Sequence, residues 1–111
     1  MEDVSMEWIF LLVAGLFETG WAIGIKYTEG FTRLYPTIFT VICLIVSMFF
    51  LEKALRVIPV GTGYAVWTGI GIIGTATLGI ILLNESMDMT RLFFIGLIAV
   101  GIGGLKLVSA Q

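Results

Sequence analysis

Four apolar runs, near residues 8–26, 34–51, 57–83 and 92–108, constrain this chain more than any single motif. A helix needs about 20 predominantly apolar residues to cross a hydrocarbon core of roughly 30 Å. Each run approaches that length, and the runs lie too close together to bury one another in water. A 59% apolar composition with 13% charged residues and a mean hydropathy of +1.08 agrees. The expectation is an all-α membrane protein, with a single four-helix transmembrane domain over residues 1–111. The gaps "KYTEGFTR", "EKALRV" and "NESMDMTR" are short, which predicts tight helical hairpins. Pro36 and Pro59 fall where their helices begin, and there a missing N–H costs nothing. The opening "MEDVSMEW" carries three acids and no base, unlike a secretory leader, so the first apolar run is expected to be retained.

The same composition removes whole classes of function. A lone Cys43 and the absence of histidine exclude a disulfide scaffold and a Cys/His metal site. A formal charge of −2 supplies no basic stripe, so nucleic acid is not an expected partner. The spans hold no nucleophile–base pair and no phosphate-binding loop. Neither an enzyme nor a cofactor or metal requirement is expected.

With an even number of spans both termini share one side. Lys53, Arg56 and Lys106 then face one compartment and Lys26, Arg33 and Arg91 the other. Orientation follows an excess of Lys and Arg on the cytoplasmic side. Here the two sides balance, which predicts insertion both ways up and, from it, an antiparallel homodimer with a pseudo-two-fold axis in the membrane plane. Four short helices also enclose a polar pathway poorly on their own. In the last span Gly96 and Gly103 stand seven residues apart, near two turns, and offer a face on which another backbone can approach closely.

Glu18 is the only ionisable residue well inside a span. A charge at mid-membrane costs roughly +3 kcal/mol even on the lowest scales, so its default reading is functional. About ten apolar residues precede it, too many for the side chain to snorkel to the interface. Desolvation penalises the ionised carboxylate, and a second copy beside it adds like-charge repulsion. A proton relieves both penalties, and so does an entering cation. The two therefore compete for the same carboxylates, which is the physical basis of an antiporter.

Residues three and four away share the face of Glu18, among them Ala14, Gly15, Trp21 and Ala22. Trp21 brings an N–H donor and a π-face suited to a small cation. In "GTGYAVWTGIGIIG" Tyr64 and Trp67, at i and i+3, form a second aromatic pair. Gly69, Gly71 and Gly74 follow; they either weaken the helix where a bend is needed or let it pack tightly. Ser47 is the one hydroxyl deep in the second span. It can donate to a carboxylate or to its own i−4 carbonyl.

From about Trp8 to Val108 the chain resembles the small multidrug resistance family of proton-coupled exporters. The resemblance is carried by "AGLFETGWA", "GFTRLYP", "PVGTGYAVWTGIG" and "GLIAVGIGG". It implies an antiparallel, dual-topology homodimer in the bacterial inner membrane, whose two Glu18 residues bind either protons or one cationic substrate. "ETGWAIGIKY" is similar to the guanidinium-exporting branch, marked by Trp21 where drug exporters carry a small residue. By the same resemblance Trp21, Ser47, Tyr64 and Trp67 line the pocket, and Gly69 and Gly71 form the bend of the third helix. Gly63 and Thr37 depart from the branch pattern, as do the extra acids Glu2 and Asp3; the departures leave room for substituted guanidines. The alternatives are an exporter of quaternary ammonium cations within the same family, and a non-transporting small membrane subunit in which Glu18 only pins a partner helix.

Overall fold

The computed structural model describes the backbone of residues 4–108 and the side chains of residues 6–108; Glu2 and Asp3 lie outside the described residues. Four helices follow one another: α1 Val4–Thr28, α2 Leu34–Leu55, α3 Val60–Leu83 and α4 Met89–Val108. All four are long and apolar enough to cross a membrane. Their Cα atoms fill a slab of 46 × 34 × 17 Å. The short dimension leaves little interior.

Each connection is set by local chemistry. After α1, Glu29, Gly30 and Phe31 take positive φ angles of 49°, 74° and 67°, and Gly30 is the residue that accepts this without strain. The buried Thr28 hydroxyl donates to the Ile25 carbonyl at 2.8 Å and accepts from the Phe31 N–H at 3.2 Å, closing the turn. Between α2 and α3, Val57 and Ile58 belong to the turn, although their apolar character extends the expected third span back to residue 57. Pro59, the N-cap of α3, disfavours helix in the residue before it. Ile58, 3% exposed, plugs the core from that turn. After α3, Asn84 is left-handed at φ 56°, and the Glu85 N–H bonds back to the Gly79 carbonyl at 3.1 Å. The Asn84 N–H reaches the same carbonyl, so one α3 carbonyl closes the helix end.

Lipid tails are as apolar as leucine, so helices in a membrane associate through close packing rather than through a hydrophobic gain. The chain relies on small residues for that packing. Gly20 and Gly24, four apart on α1, admit Cys43, Thr40 and Phe39 of α2. Gly15 admits Ile70 of α3, where an added Cβ would lie 2.7 Å from the Ile70 Cβ. The resulting core joins Leu11 and Ala14 of α1 to Leu51 and Ala54 of α2 and to Val66 and Trp67 of α3. Helix α4 contributes Ile102 and Leu105 to the edge of this cluster and has no buried residue of its own. Leu12, Leu16, Ile42, Ile45 and Phe93 point outward, a surface compatible only with lipid or another apolar partner.

Candidate functional site

Glu18 occupies the middle of α1, four turns from its start, where the intrahelical hydrogen bonds satisfy the backbone but leave the carboxyl group to find its own partner. It finds none: Oε1 is buried without a hydrogen-bond partner. One turn further on, the indole Nε1 of Trp21 is buried and unpartnered as well. An acceptor and a donor, both desolvated and both unsatisfied, thus stand on the same stretch of one helix. Leaving such a group unpaired costs about 1–3 kcal/mol, more for a charged one, so each is a candidate contact for a bound group.

Gly71 of α3 makes room for the acid. A Cβ built there would fall 2.6 Å from the Glu18 Cδ, so the carboxyl group rests directly on the α3 backbone. Beside it, the Thr19 hydroxyl donates to the Gly15 carbonyl at 3.2 Å, and Gly74 gives the threonine its space. An open cavity of about 350 Å³ begins at Glu18 and is lined by Ala22, Gly71, Ile72, Thr75, Ala76, Glu85 and Arg91.

The remaining residues singled out in the sequence are placed differently. Ser47 is fully buried, yet its hydroxyl meets neither Glu18 nor its own i−4 carbonyl. It donates to the Ala14 carbonyl of α1 at 2.7 Å and accepts from Trp67 Nε1 at 2.9 Å. Trp67 lies in the core, and the ring of Tyr64, 5.4 Å away, is half exposed. Within this single chain none of Trp21, Ser47, Tyr64 and Trp67 lines the Glu18 cavity. Helix α3 runs unbroken through Gly69, Gly71 and Gly74. Of the two readings open for these glycines, close packing describes this conformation: Gly69 receives Ile102 of α4, Gly71 receives Glu18 and Gly74 receives Thr19. Gly96 and Gly103 have nothing within 4 Å of a built Cβ and lie on the open face of α4.

Two departures from the family pattern acquire contacts. An added Cβ at Gly63 would meet Leu55, so glycine lets that side chain settle against α3. Thr37 donates to the Arg33 carbonyl at 2.6 Å in the first turn of α2. Glu85 and Arg91, at the far end of the cavity, were legible only as part of a polar loop. Their spacing across a helix stop was the available signal.

Comparison with known proteins places these features. The family described as Small Multidrug Resistance protein matches residues 6–98. A guanidinium exporter of Citrobacter freundii is 60% identical over 102 residues, covering 92% of this chain and 97% of that protein. One from Yersinia pestis is 55% identical over 104 residues, covering 94% of this chain and all of that protein. One from Salmonella typhimurium strain LT2 is 55% identical over 102 residues, or 92% and 97%.

Proposed function

The chain belongs to the small multidrug resistance family, and from that premise we propose that it is a proton-coupled antiporter exporting guanidinium across the bacterial inner membrane. The observation that carries this reading is Glu18, whose Oε1 is buried without a partner beside an open cavity that the residue lines. Guanidinium is a planar fork of N–H donors that matches a carboxylate bidentately. Trp21, one turn along α1, brings an unpartnered N–H and a ring face suited to the same cation.

The working unit is an antiparallel homodimer inserted both ways up, holding two copies of Glu18. Three observations support it: the thin slab cannot enclose a pathway, α4 carries an unpacked face with Gly96 and Gly103, and the flanking charges balance. Tyr64, half exposed in one chain, is free to line the site with its partner, while Ser47 and Trp67 act behind the site by holding α1 against α3. With protons bound, the pair is neutral. A guanidinium entering from one side displaces them, and the pair must carry protons or the cation before it changes sides, because two bare carboxylates are the costliest state in the bilayer. Exchange follows from that exclusion. Gly69 and Gly71, packed tightly here, are the positions at which α3 yields during the change. The opening between helices also suits substituted guanidines whose alkyl tail lies toward lipid.

The test is uptake by reconstituted protein under a pH gradient, with guanidinium and a bulky quaternary ammonium cation compared on the native chain and on Glu18→Gln. Guanidinium should move on the native chain alone. Uptake that persists in Glu18→Gln would sink the mechanism. Movement of the bulky cation only would assign the chain to drug export, and no movement of either would favour a non-transporting subunit.

A further inference from the structure

The cavity that starts at Glu18 ends at a second carboxylate. Glu85 folds back over α3, where a Cβ on Gly79 would fall 2.8 Å from the Glu85 Cδ. Glu18 sits over Gly71 in the same manner. The two glycines are eight residues apart, about 12 Å along the helix axis at 1.5 Å per residue. Thr75 and Ala76 lie between them and line the same cavity. One helix therefore seats two acids along one open groove, the inner unpartnered and the outer held by Arg91.

That outer pair has an unusual composition for its place. Arg91 Nη2 lies 2.8 Å from Glu85 Oε1, and Nη1 donates to the Ser86 carbonyl at 2.5 Å. Arg91 stands in the first turn of α4, where the helix dipole disfavours a cation. The Asp88 carboxylate is engaged elsewhere, accepting from the Thr90 N–H at 3.2 Å as the cap of that helix. Arg91 is thus kept in place by Glu85 and one carbonyl. Its side chain is itself a guanidinium, chemically the same group as the cation proposed for Glu18. The pair is partly exposed, and an exposed ion pair is worth only about 0–1 kcal/mol, so exchange of one guanidinium for another is easy.

We propose that Glu85 is an outer cation-binding station of the Glu18 cavity, taking a guanidinium-class cation in exchange for the side chain of Arg91. The station rests on the reading that Glu18 carries such cations, and it adds a second acid to the route together with a resident competitor. The cation reaches or leaves Glu18 by way of Glu85, while Arg91 swings aside and restores the pair once the cation has passed.

Glu85→Gln and Arg91→Gln break the same ion pair, so they separate the proposal from a structural role. Initial guanidinium uptake below saturation is measured in proteoliposomes for both variants, and equilibrium guanidinium binding is measured by calorimetry. Glu85→Gln should lower the uptake efficiency kcat/KM roughly tenfold and Arg91→Gln should raise it roughly threefold, within the range by which cleft charges alter encounter rates. The equilibrium affinity of the Glu18 site should stay within about twofold in both. Uptake that changes in the same direction in both variants, or that is unaffected by Glu85→Gln, overturns the station. If Glu85→Gln does not fold, Glu85→Asp, which keeps the charge, should retain uptake while Arg91→Gln still increases it; loss of uptake in Glu85→Asp with normal folding overturns the proposal. Failure of the underlying reading looks different, as native protein that moves no guanidinium or Glu18→Gln protein that still does.

Discussion

Trp67 donates its indole N–H to the Ser47 hydroxyl across 2.9 Å, and that same hydroxyl donates onward to the Ala14 carbonyl at 2.7 Å. Three helices are joined by one oxygen atom. The acceptor lies one turn before Glu18 on α1, so the height of the acid relative to α3 depends on this junction.

Ser47→Ala should leave Trp67 Nε1 without an acceptor and remove the tie to Ala14. A buried donor left unpaired costs about 1–3 kcal/mol. Thermal unfolding in detergent should show the loss, and Trp67→Phe, which removes the donor, should make the subsequent Ser47→Ala change less costly than it is alone. Equal and additive effects would mean that the two side chains are not coupled.

Gly71→Ala places a methyl group against the Glu18 carboxyl group and should displace it from its seat. Helix propensity favours alanine over glycine by about 1 kcal/mol, so the fold should survive while guanidinium binding weakens, by roughly tenfold for a 1.4 kcal/mol penalty at the acid. Gly61→Ala is the control, since nothing lies within 4 Å of its Cβ. Calorimetric titration of both variants decides it; equal affinities would remove Gly71 from the site.

Competition between proton and cation carries a pH signature. A carboxyl group that must release a proton to bind guanidinium binds it more weakly as pH falls. The apparent Kd should rise by about tenfold per pH unit for each proton displaced, in the range where the acid is protonated. At higher pH the Kd should become constant. Binding measured across this range, on native protein, tests it; a flat profile throughout would separate cation binding from the proton.

Gly96→Leu and Gly103→Leu enter open space on α4, where an added Cβ has nothing within 4 Å. Each helix should still form, whereas a close helix–helix contact between copies should be lost. Cross-linking in membranes should shift from dimer to monomer. Unchanged dimer yield in both variants would place the contact on another face.

Two lysines added at the connection between α2 and α3, beside Lys53 and Arg56, should tip the balance of three basic residues on each side and lock most copies in one orientation. Labelling of both termini from either side of the membrane reports it, and labelling unchanged from the native pattern would count against charge balance as the determinant.

The four helices and the singular position of Glu18 were readable from the chain because the bilayer imposes two local conditions. Backbone groups must be paired within each segment, and a charge inside must have a use. Both conditions act on consecutive residues, so a linear pattern displays them. The apolar run extends back beyond the start of α3 for a related reason: Ile58 is apolar because it fills the core of the protein, and hydropathy alone does not separate that from burial in lipid. Pro59 marked the true boundary.

What only the tertiary structure decided was the partner of each group. By sequence Ser47 can donate to a carboxylate or to its own i−4 carbonyl; in the fold it bridges α1 and α3, through an acceptor 33 residues away and a donor 20 residues away. Gly69, Gly71 and Gly79 are indistinguishable as letters, yet one receives an isoleucine and two receive carboxylates. A glycine specifies that something can come close; which neighbour does so depends on the register of two helices. The acid in the first helix was thus determined by the chain itself, and the groove that joins it to Glu85 by how the helices pack.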